Sequence, residues 1–151
     1  MEYQRGNKTH EPARYYHVTV KNRHYKKLAR DCVVFIKDIK ELRDDVTELR
    51  AIDLVEIKWR GVKSARVTIP PDKERMFDGF FVFENYTRIA YLGYNRAIVD
   101  FTVFDVEYSL RAPGTYDLNY LIYAENFSPV NAIFRVQLRD TIDDINFFQL
   151  E

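Results

Sequence analysis

The chain has 151 residues, of which 46% are hydrophobic, 30% charged and 15% aromatic. A chain of this length buries about 70% of its unfolded surface, and this composition excludes intrinsic disorder. Its 23 Lys and Arg balance its 23 Asp and Glu. The balance disfavours specific nucleic-acid binding, because that affinity normally rests on a cationic excess.

Residue usage favours strands over helices. Val, Ile and Thr together number 33, against 19 for Ala and Leu. β-Branched and aromatic side chains suit pleated, half-buried surfaces, whereas Ala and Leu favour helices. The composition therefore predicts an all-β protein.

Cysteine usage and the N-terminal sequence bear on location. Cys32 is the only cysteine, so no intrachain disulfide exists, which fits a reducing compartment. We find neither a signal peptide nor a run of about 18 apolar residues. We therefore expect a cytoplasmic protein without a transmembrane segment, and membrane attachment or export stays open if the chain is a fragment. Three glycosylation sequons, at Asn7, Asn85 and Asn126, are interpreted as chance matches in turn-rich sequence.

Alternation of apolar and polar residues predicts most of the strands. Residues 1–13 are polar and without periodicity, so we predict a loose lead-in to a single β-sandwich domain over residues 14–151. The spacing favours an antiparallel β-sandwich of about seven to nine strands. The predicted strands lie around residues 16–20, 32–36, 55–59, 65–69, 80–83, 98–110, 116–122, 132–138 and 146–150.

One segment departs from the strand pattern. Apolar residues recur there at steps of three and four positions, at Ile39, Leu42, Val46, Leu49 and Ile52. Asp38 and Glu41 have the spacing of a capping box. We predict one short helix near residues 38–52, and a polar loop is the alternative because Arg43-Asp44-Asp45 is typical of a turn.

The segment Leu110-Arg-Ala-Pro-Gly-Thr-Tyr116 ends one predicted strand and begins the next. It resembles the tyrosine corner of immunoglobulin-like sandwiches, in which a buried phenol bonds to backbone a few residues upstream. The resemblance implies structural roles for Tyr116 and for Gly114 in the turn. A plain hairpin that contains a tyrosine is the alternative.

A second resemblance lies near the N-terminus. Tyr16-His-Val18-Thr-Val20-Lys-Asn22, a short turn and Ala29-Arg-Asp-Cys32-Val-Val34 resemble the B-turn-C segment of CARDB-like immunoglobulin-type modules, including uncharacterised prokaryotic domains. Asn22 would bond turn backbone at the strand end. The usual turn glycine is absent, and so is the Cys…Trp…Cys pattern of antibody domains. The resemblance implies a fold and no activity.

Signals for catalysis or cofactor binding are missing. Cys32 with His17 is the only combination of a strong nucleophile and a base, and alternation puts them on opposite strand faces. Cys32 shares its face with Val34, and Trp59 belongs to the apolar face of its own strand, so both are predicted to be structural. We predict no catalytic residue, no metal ligand and no cofactor.

Two surfaces are candidates for binding. Cationic side chains surround Tyr25 in one predicted turn: Lys21, Arg23, Lys26, Lys27 and Arg30. This turn could contact anionic lipid, nucleic acid or an acidic protein patch, and a solvated turn is the alternative. The second is an outer apolar patch, which would suit a partner or a second copy. Leu121 and Tyr123 lie opposite the core set of their strand, and either Phe80 with Val82 or Phe81 with Phe83 lies on the outer face of another strand. The alternative for this patch is coverage by the predicted helix.

These observations favour a non-enzymatic interaction or structural module. A protein partner or self-association is the expected mode, and an anionic surface stays open. Two alternatives remain: an accessory domain of a membrane-associated or multidomain assembly, and a carbohydrate-binding module. One tryptophan, Trp59, gives little area for stacking on sugar rings.

Overall fold

The computed structural model describes residues 2–5, 9–43, 46–50, 55–57, 59–62, 64, 66–92 and 109–150. Twelve strands and one 3₁₀ helix, Ile142–Asp144, occur in these ranges. The strands are β1 (Glu2–Arg5), β2 (Thr9–Lys21), β3 (Ala29–Arg43), β4 (Val46–Arg50), β5 (Val55–Ile57), β6 (Val67–Ile69), β7 (Glu74–Phe83), β8 (Ile89–Leu92), β9 (Ser109–Arg111), β10 (Gly114–Ala124), β11 (Phe127–Leu138) and β12 (Asn146–Gln149).

The strands form two antiparallel sheets. The first sheet has the order β1-β2-β7-β8-β9, and the second has the order β12-β11-β10-β3-β4, with β5 and β6 also paired to β3. The all-β antiparallel sandwich predicted from the sequence is confirmed. The strands beyond the predicted set are β1, β4 and β8; β1 falls in the predicted lead-in and β4 in the predicted helix. Within the described residues no helix is long and apolar enough to cross a membrane.

The core lies between the sheets, because alternation sends every second side chain inward. Val34 and Ile36 of β3 are buried together with Phe80 and Val82 of β7. The burial of Cys32 on the same face of β3, at 2% exposure, agrees with the alternation. The predicted core face of this strand is therefore confirmed.

Two aromatic side chains tie the sheets together by hydrogen bonds. The Tyr120 hydroxyl, on β10, donates to the Gly79 carbonyl on β7 at 3.2 Å. Trp59 pairs as an isolated bridge with Phe77 of β7, and its indole N–H donates to the Cys32 carbonyl at 3.1 Å. Both side chains are fully buried, so each bond links the sheets where water cannot compete.

The helix predicted near residues 38–52 is wrong where the structure describes this segment, at residues 38–43 and 46–50; the remaining four residues lie outside the described ranges. Strand β3 continues to Arg43, and β4 pairs with it from Ile39↔Arg50 to Arg43↔Val46. The extended backbone of β3 pairs with β10 at one edge and with β4 at the other, which a helix could not do. Leu49 is 62% exposed although Ile39 is fully buried, so their helical spacing does not reflect a shared buried face.

The predicted loose lead-in over residues 1–13 also needs correction. Residues 2–5 form β1, which pairs with the first part of β2 from Glu2↔Pro12 to Arg5↔Thr9. An edge strand is held by backbone hydrogen bonds, so polar sequence without alternation does not exclude it. The strand predicted over residues 98–110 falls outside the described residues up to 108, and Ser109–Arg111 forms β9.

Candidate binding site

Residues 21–30, named the basic loop, connect the two sheets. Strand β2 ends at Lys21 in the first sheet, and β3 begins at Ala29 in the second. The two strands do not pair with each other: β2 pairs with β7, and β3 pairs with β10. The predicted turn is thus a crossing between the two sheets, so it lies over the edge of the core.

Asn22 holds the first half of the basic loop. Its side-chain amide donates to the carbonyls of Lys27 at 2.6 Å and Ile69 at 3.0 Å, and its carbonyl oxygen accepts from the His24 N–H at 3.0 Å. The side chain is buried, with 6% of Asn22 exposed. The predicted hydrogen bonds from Asn22 to turn backbone are therefore present.

His24 closes the middle of the loop. Its ring Nδ1 accepts backbone N–H bonds from Lys26 at 3.0 Å and from Lys27 at 2.9 Å. An imidazole nitrogen that accepts carries no hydrogen, so the hydrogen of the neutral ring is on Nε2. The ring stacks on Tyr25, with centroids 5.3 Å apart and planes nearly parallel. The middle of the basic loop is consequently held by contacts between its own residues.

Asn126, in the turn between β10 and β11, holds the second half. Its amide donates to the Leu28 carbonyl at 2.7 Å, and its side-chain oxygen accepts from the Arg30 N–H at 3.1 Å. In the sequence this residue stands out only as part of a sequon. Nothing local distinguishes it, because the loop it supports is 96 to 98 residues away in the sequence.

The basic loop, held by these hydrogen bonds, exposes its cationic side chains to solvent. Tyr25 is 77% exposed. The Lys26 ammonium lies over the Tyr25 ring at 5.2 Å, and the Lys27 ammonium lies over the Phe127 ring at 5.1 Å. Lys21 pairs with Asp72 at 3.2 Å. Within the described residues no carboxylate forms an ion pair with the other four cationic side chains, Arg23, Lys26, Lys27 and Arg30.

A cavity of about 470 Å³ opens beneath the basic loop, between the sheets. Its walls are mostly apolar and come from strands of both sheets: Val20, Ala29, Cys32, Ile69, Ile122 and Phe127. Lys21, Arg23 and His24 of the loop also line it, and no described lining residue is acidic. The sequence does not indicate this cavity, because its walls come from five separate strands.

Two residues predicted to be structural lie in or beside the cavity. The Cys32 thiol donates to the Ala29 carbonyl at 3.4 Å, and burial raises the pKa of this thiol. A thiol that stays protonated is a poor nucleophile. Trp59, bonded to the Cys32 backbone, is fully buried. Neither side chain is exposed at the surface, so Cys32 is poorly placed to attack a partner there and Trp59 cannot stack on a sugar.

The structure does not bring Cys32 and His17 together. His17 lies on β2 in the first sheet, and its ring Nδ1 is 3.0 Å from the Asp78 carboxylate. Arg60 contacts the same ring. Within the described residues no group of three His, Cys, Asp or Glu side chains is arranged to hold a metal ion.

The outer apolar patch divides into two unequal parts. Phe81 and Phe83 are only 4% and 6% exposed. They form an aromatic cluster with Tyr15 and Tyr91, with ring centroids 5.2–5.6 Å apart. This part is not a free docking surface. Tyr123, on the other sheet, is 38% exposed and packs edge-on against Phe35.

Tyr116 and Gly114 lie at the opposite end of the β10–β11 hairpin from the basic loop. The Tyr116 hydroxyl donates to the Arg111 carbonyl at 2.7 Å and accepts from the Arg111 N–H at 3.1 Å. A Cβ on Gly114 would lie 2.8 Å from the Tyr116 ring and 2.9 Å from the Arg111 carbonyl. The predicted bond to upstream backbone is present, and glycine is required for this close approach.

Comparison with known proteins adds no relative to these observations. No protein-family model, no curated protein and no solved structure matches this chain. The site must therefore be interpreted from its own geometry. The charges and Asn22 were identified from the sequence, whereas His24, Asn126 and the cavity were not.

Proposed function

We propose that this chain is a non-enzymatic interaction module, an immunoglobulin-like sandwich of the CARDB-like kind, whose basic loop docks on an anionic surface. The connection of β2 to β3 across the two sheets supports the fold assignment, because strands B and C of immunoglobulin-like domains also lie in opposite sheets. The β3-β10-β11 order supports it as the counterpart of C, F and G. The chain departs from that pattern in the first sheet. In immunoglobulin-like domains the outer neighbour of strand E is strand D, which precedes E in the sequence, whereas β8 pairs with β7 and follows it.

The observation that carries the docking proposal is a preformed cationic loop. Asn22, His24 and Asn126 together make seven hydrogen bonds that hold the loop. A preformed loop loses little conformational entropy on binding, so more of the interaction energy is retained as affinity. Four of its cationic side chains form no ion pair with any described carboxylate, so they attract an anionic partner and orient its approach.

The alternatives gain less support from the described residues. A carbohydrate-binding module stacks sugars on exposed aromatic rings, and Trp59 is fully buried. Tyr25 is the one large aromatic side chain of the basic loop that is exposed. An accessory domain of a larger assembly is compatible with the same docking loop, and it differs only in what else the chain is attached to.

The test is binding of the purified protein to two anionic probes, phosphatidylserine vesicles and a fluorescent polyglutamate peptide. We expect binding to at least one probe, weakened about tenfold or more between about 0.05 M and 0.2 M salt, because salt screens these contacts. The variant Lys26→Glu, Lys27→Glu should lose most of this binding. Its free energy of unfolding should change by less than about 1 kcal/mol, since exposed charges contribute little to folding.

The matched control reverses two charges at the other end of the molecule. Arg111→Glu, Arg139→Glu makes the same change in net charge on exposed side chains, and we expect it to bind both probes nearly as well as the wild type does. Absence of binding at low salt, or equal losses in the two variants, refutes the basic loop as the docking site. Binding to neutral vesicles as well would point to an apolar mode instead.

A further inference from the structure

The cavity beneath the basic loop combines two properties that the docking proposal does not use. Its walls are apolar, with Val20, Ile69, Ile122 and Phe127 among them, and its volume of about 470 Å³ lies in the range of small-molecule pockets, about 300–1,000 Å³. Its mouth carries cationic side chains. An occupant must therefore have an apolar body and a polar end.

The unused donors and acceptors at the mouth of the cavity indicate whether the polar end of the occupant is anionic or cationic. Asn22 uses both its amide donors and its oxygen within the protein. His24 uses Nδ1 as an acceptor, so only its Nε2–H remains, which is a donor. Lys21 and Arg23 are donors only. Apart from a second lone pair on the Asn22 oxygen, the remaining side-chain capacity of these four residues consists of donors, which matches an anionic acceptor. Lys21 shares its donors with Asp72, so Arg23 is the main donor for that anion.

We propose that this cavity binds a single-chain carboxylate of medium length, with the alkyl chain between the sheets and the carboxylate at Arg23 and Lys21. Arg23 forms no ion pair within the described residues, and its planar guanidinium suits a carboxylate. The inference rests on the proposed function only in assigning anion recognition to the basic loop. The ligand is a free molecule that enters the fold, whereas the docking partner remains outside it.

The test is calorimetric titration with hexanoate, octanoate and decanoate, each below its micelle concentration. We expect saturable 1:1 binding, with affinity rising about fourfold for each added methylene, the factor that corresponds to ~0.8 kcal/mol per buried methylene. Decanol, which has the chain without the charge, should bind at least tenfold more weakly. Equal affinity for decanol and decanoate, or no dependence on chain length, overturns the proposal.

Two variants separate the cavity from its rim. Ala124→Phe places a ring in the cavity, which Ala124 lines, and should abolish decanoate binding. Arg23→Glu reverses a charge on an exposed residue and should weaken decanoate binding at least tenfold without affecting folding. If Ala124→Phe does not fold, Arg23→Glu decides alone, and unchanged decanoate affinity in that variant refutes the assignment.

The location of the ligand has an independent readout. Cys32 lines the cavity, so bound decanoate should slow the labelling of Cys32 by a small uncharged thiol reagent. The double variant Arg111→Glu, Arg139→Glu should bind decanoate within about twofold of the wild type, because both residues lie at the other end of the molecule and neither lines the cavity. Failure of vesicle and peptide binding with intact decanoate binding would reject only the docking proposal. The converse result, or decanoate binding that leaves Cys32 labelling unchanged, would reject only the cavity proposal.

Discussion

Replacing Tyr116 with Phe removes one oxygen atom that serves two backbone groups of Arg111. The Ala112 N–H donates to the Arg88 carbonyl, so Arg111 and its partner Ile89 form the non-hydrogen-bonded kind of antiparallel pair. The ladder between β8 and β9 therefore leaves the Arg111 N–H and carbonyl without a bond there. The Tyr116 hydroxyl bonds to both, at 3.1 Å and 2.7 Å.

The magnitude follows from these two groups. A buried backbone group without a partner costs about 1–3 kcal/mol. Arg111 is an exposed residue, so water can replace part of the two hydrogen bonds that the variant loses. We expect Tyr116→Phe to lower the free energy of unfolding by about 1.5–3 kcal/mol. For a chain of this length that corresponds to a fall in Tm of roughly 4–10 °C.

The measurement is chemical denaturation monitored by fluorescence, with Tyr25→Phe as the matched control. Tyr25 is 77% exposed, so losing its hydroxyl should change the free energy of unfolding by less than about 0.5 kcal/mol. The slope with denaturant should be the same in both variants, which would show that the change is one of stability. A Tyr116→Phe variant as stable as Tyr25→Phe would refute the structural role of this hydroxyl.

Three further predictions concern the buried residues Tyr120 and Cys32 and the loop-holding residue Asn126. Burial raises the pKa of Tyr120 far above its usual value, so its contribution to stability is present below about pH 10 and is lost as the pH rises beyond it. Between pH 10 and pH 11 the free energy of unfolding of the wild type should fall by about 1 kcal/mol more than that of Tyr120→Phe. Equal falls in the two proteins would contradict the burial of this hydroxyl. Asn126→Ala should lower the free energy of unfolding by about 1 kcal/mol and weaken binding to whichever anionic probe the wild type binds, since the basic loop loses two hydrogen bonds. Unchanged binding would mean that docking does not need the loop to be held by Asn126. The Cys32 thiol should react with a thiol reagent far more slowly in the folded than in the unfolded protein, and rapid native labelling would contradict its 2% exposure.

The sequence by itself determined the features that depend on neighbouring residues. Alternation identified the buried face of β3 at Cys32, Val34 and Ile36, because a pleated strand turns successive side chains to opposite faces. The turn before Tyr116 could be recognised for a similar reason, since Pro113 and Gly114 restrict the backbone locally and place the phenol near its own upstream chain.

The tertiary structure decided what depends on distant partners. Ile39 and Leu49 have helical spacing, yet the backbone at both is extended, because β3 pairs with β10 and β4 at its two edges. Asn126 supports a loop nearly 100 residues away, and the cavity is lined by strands of both sheets. Local sequence patterns predict which face of a strand a side chain lies on. They do not predict which distant segment it packs against, because that depends on the packing of the whole core.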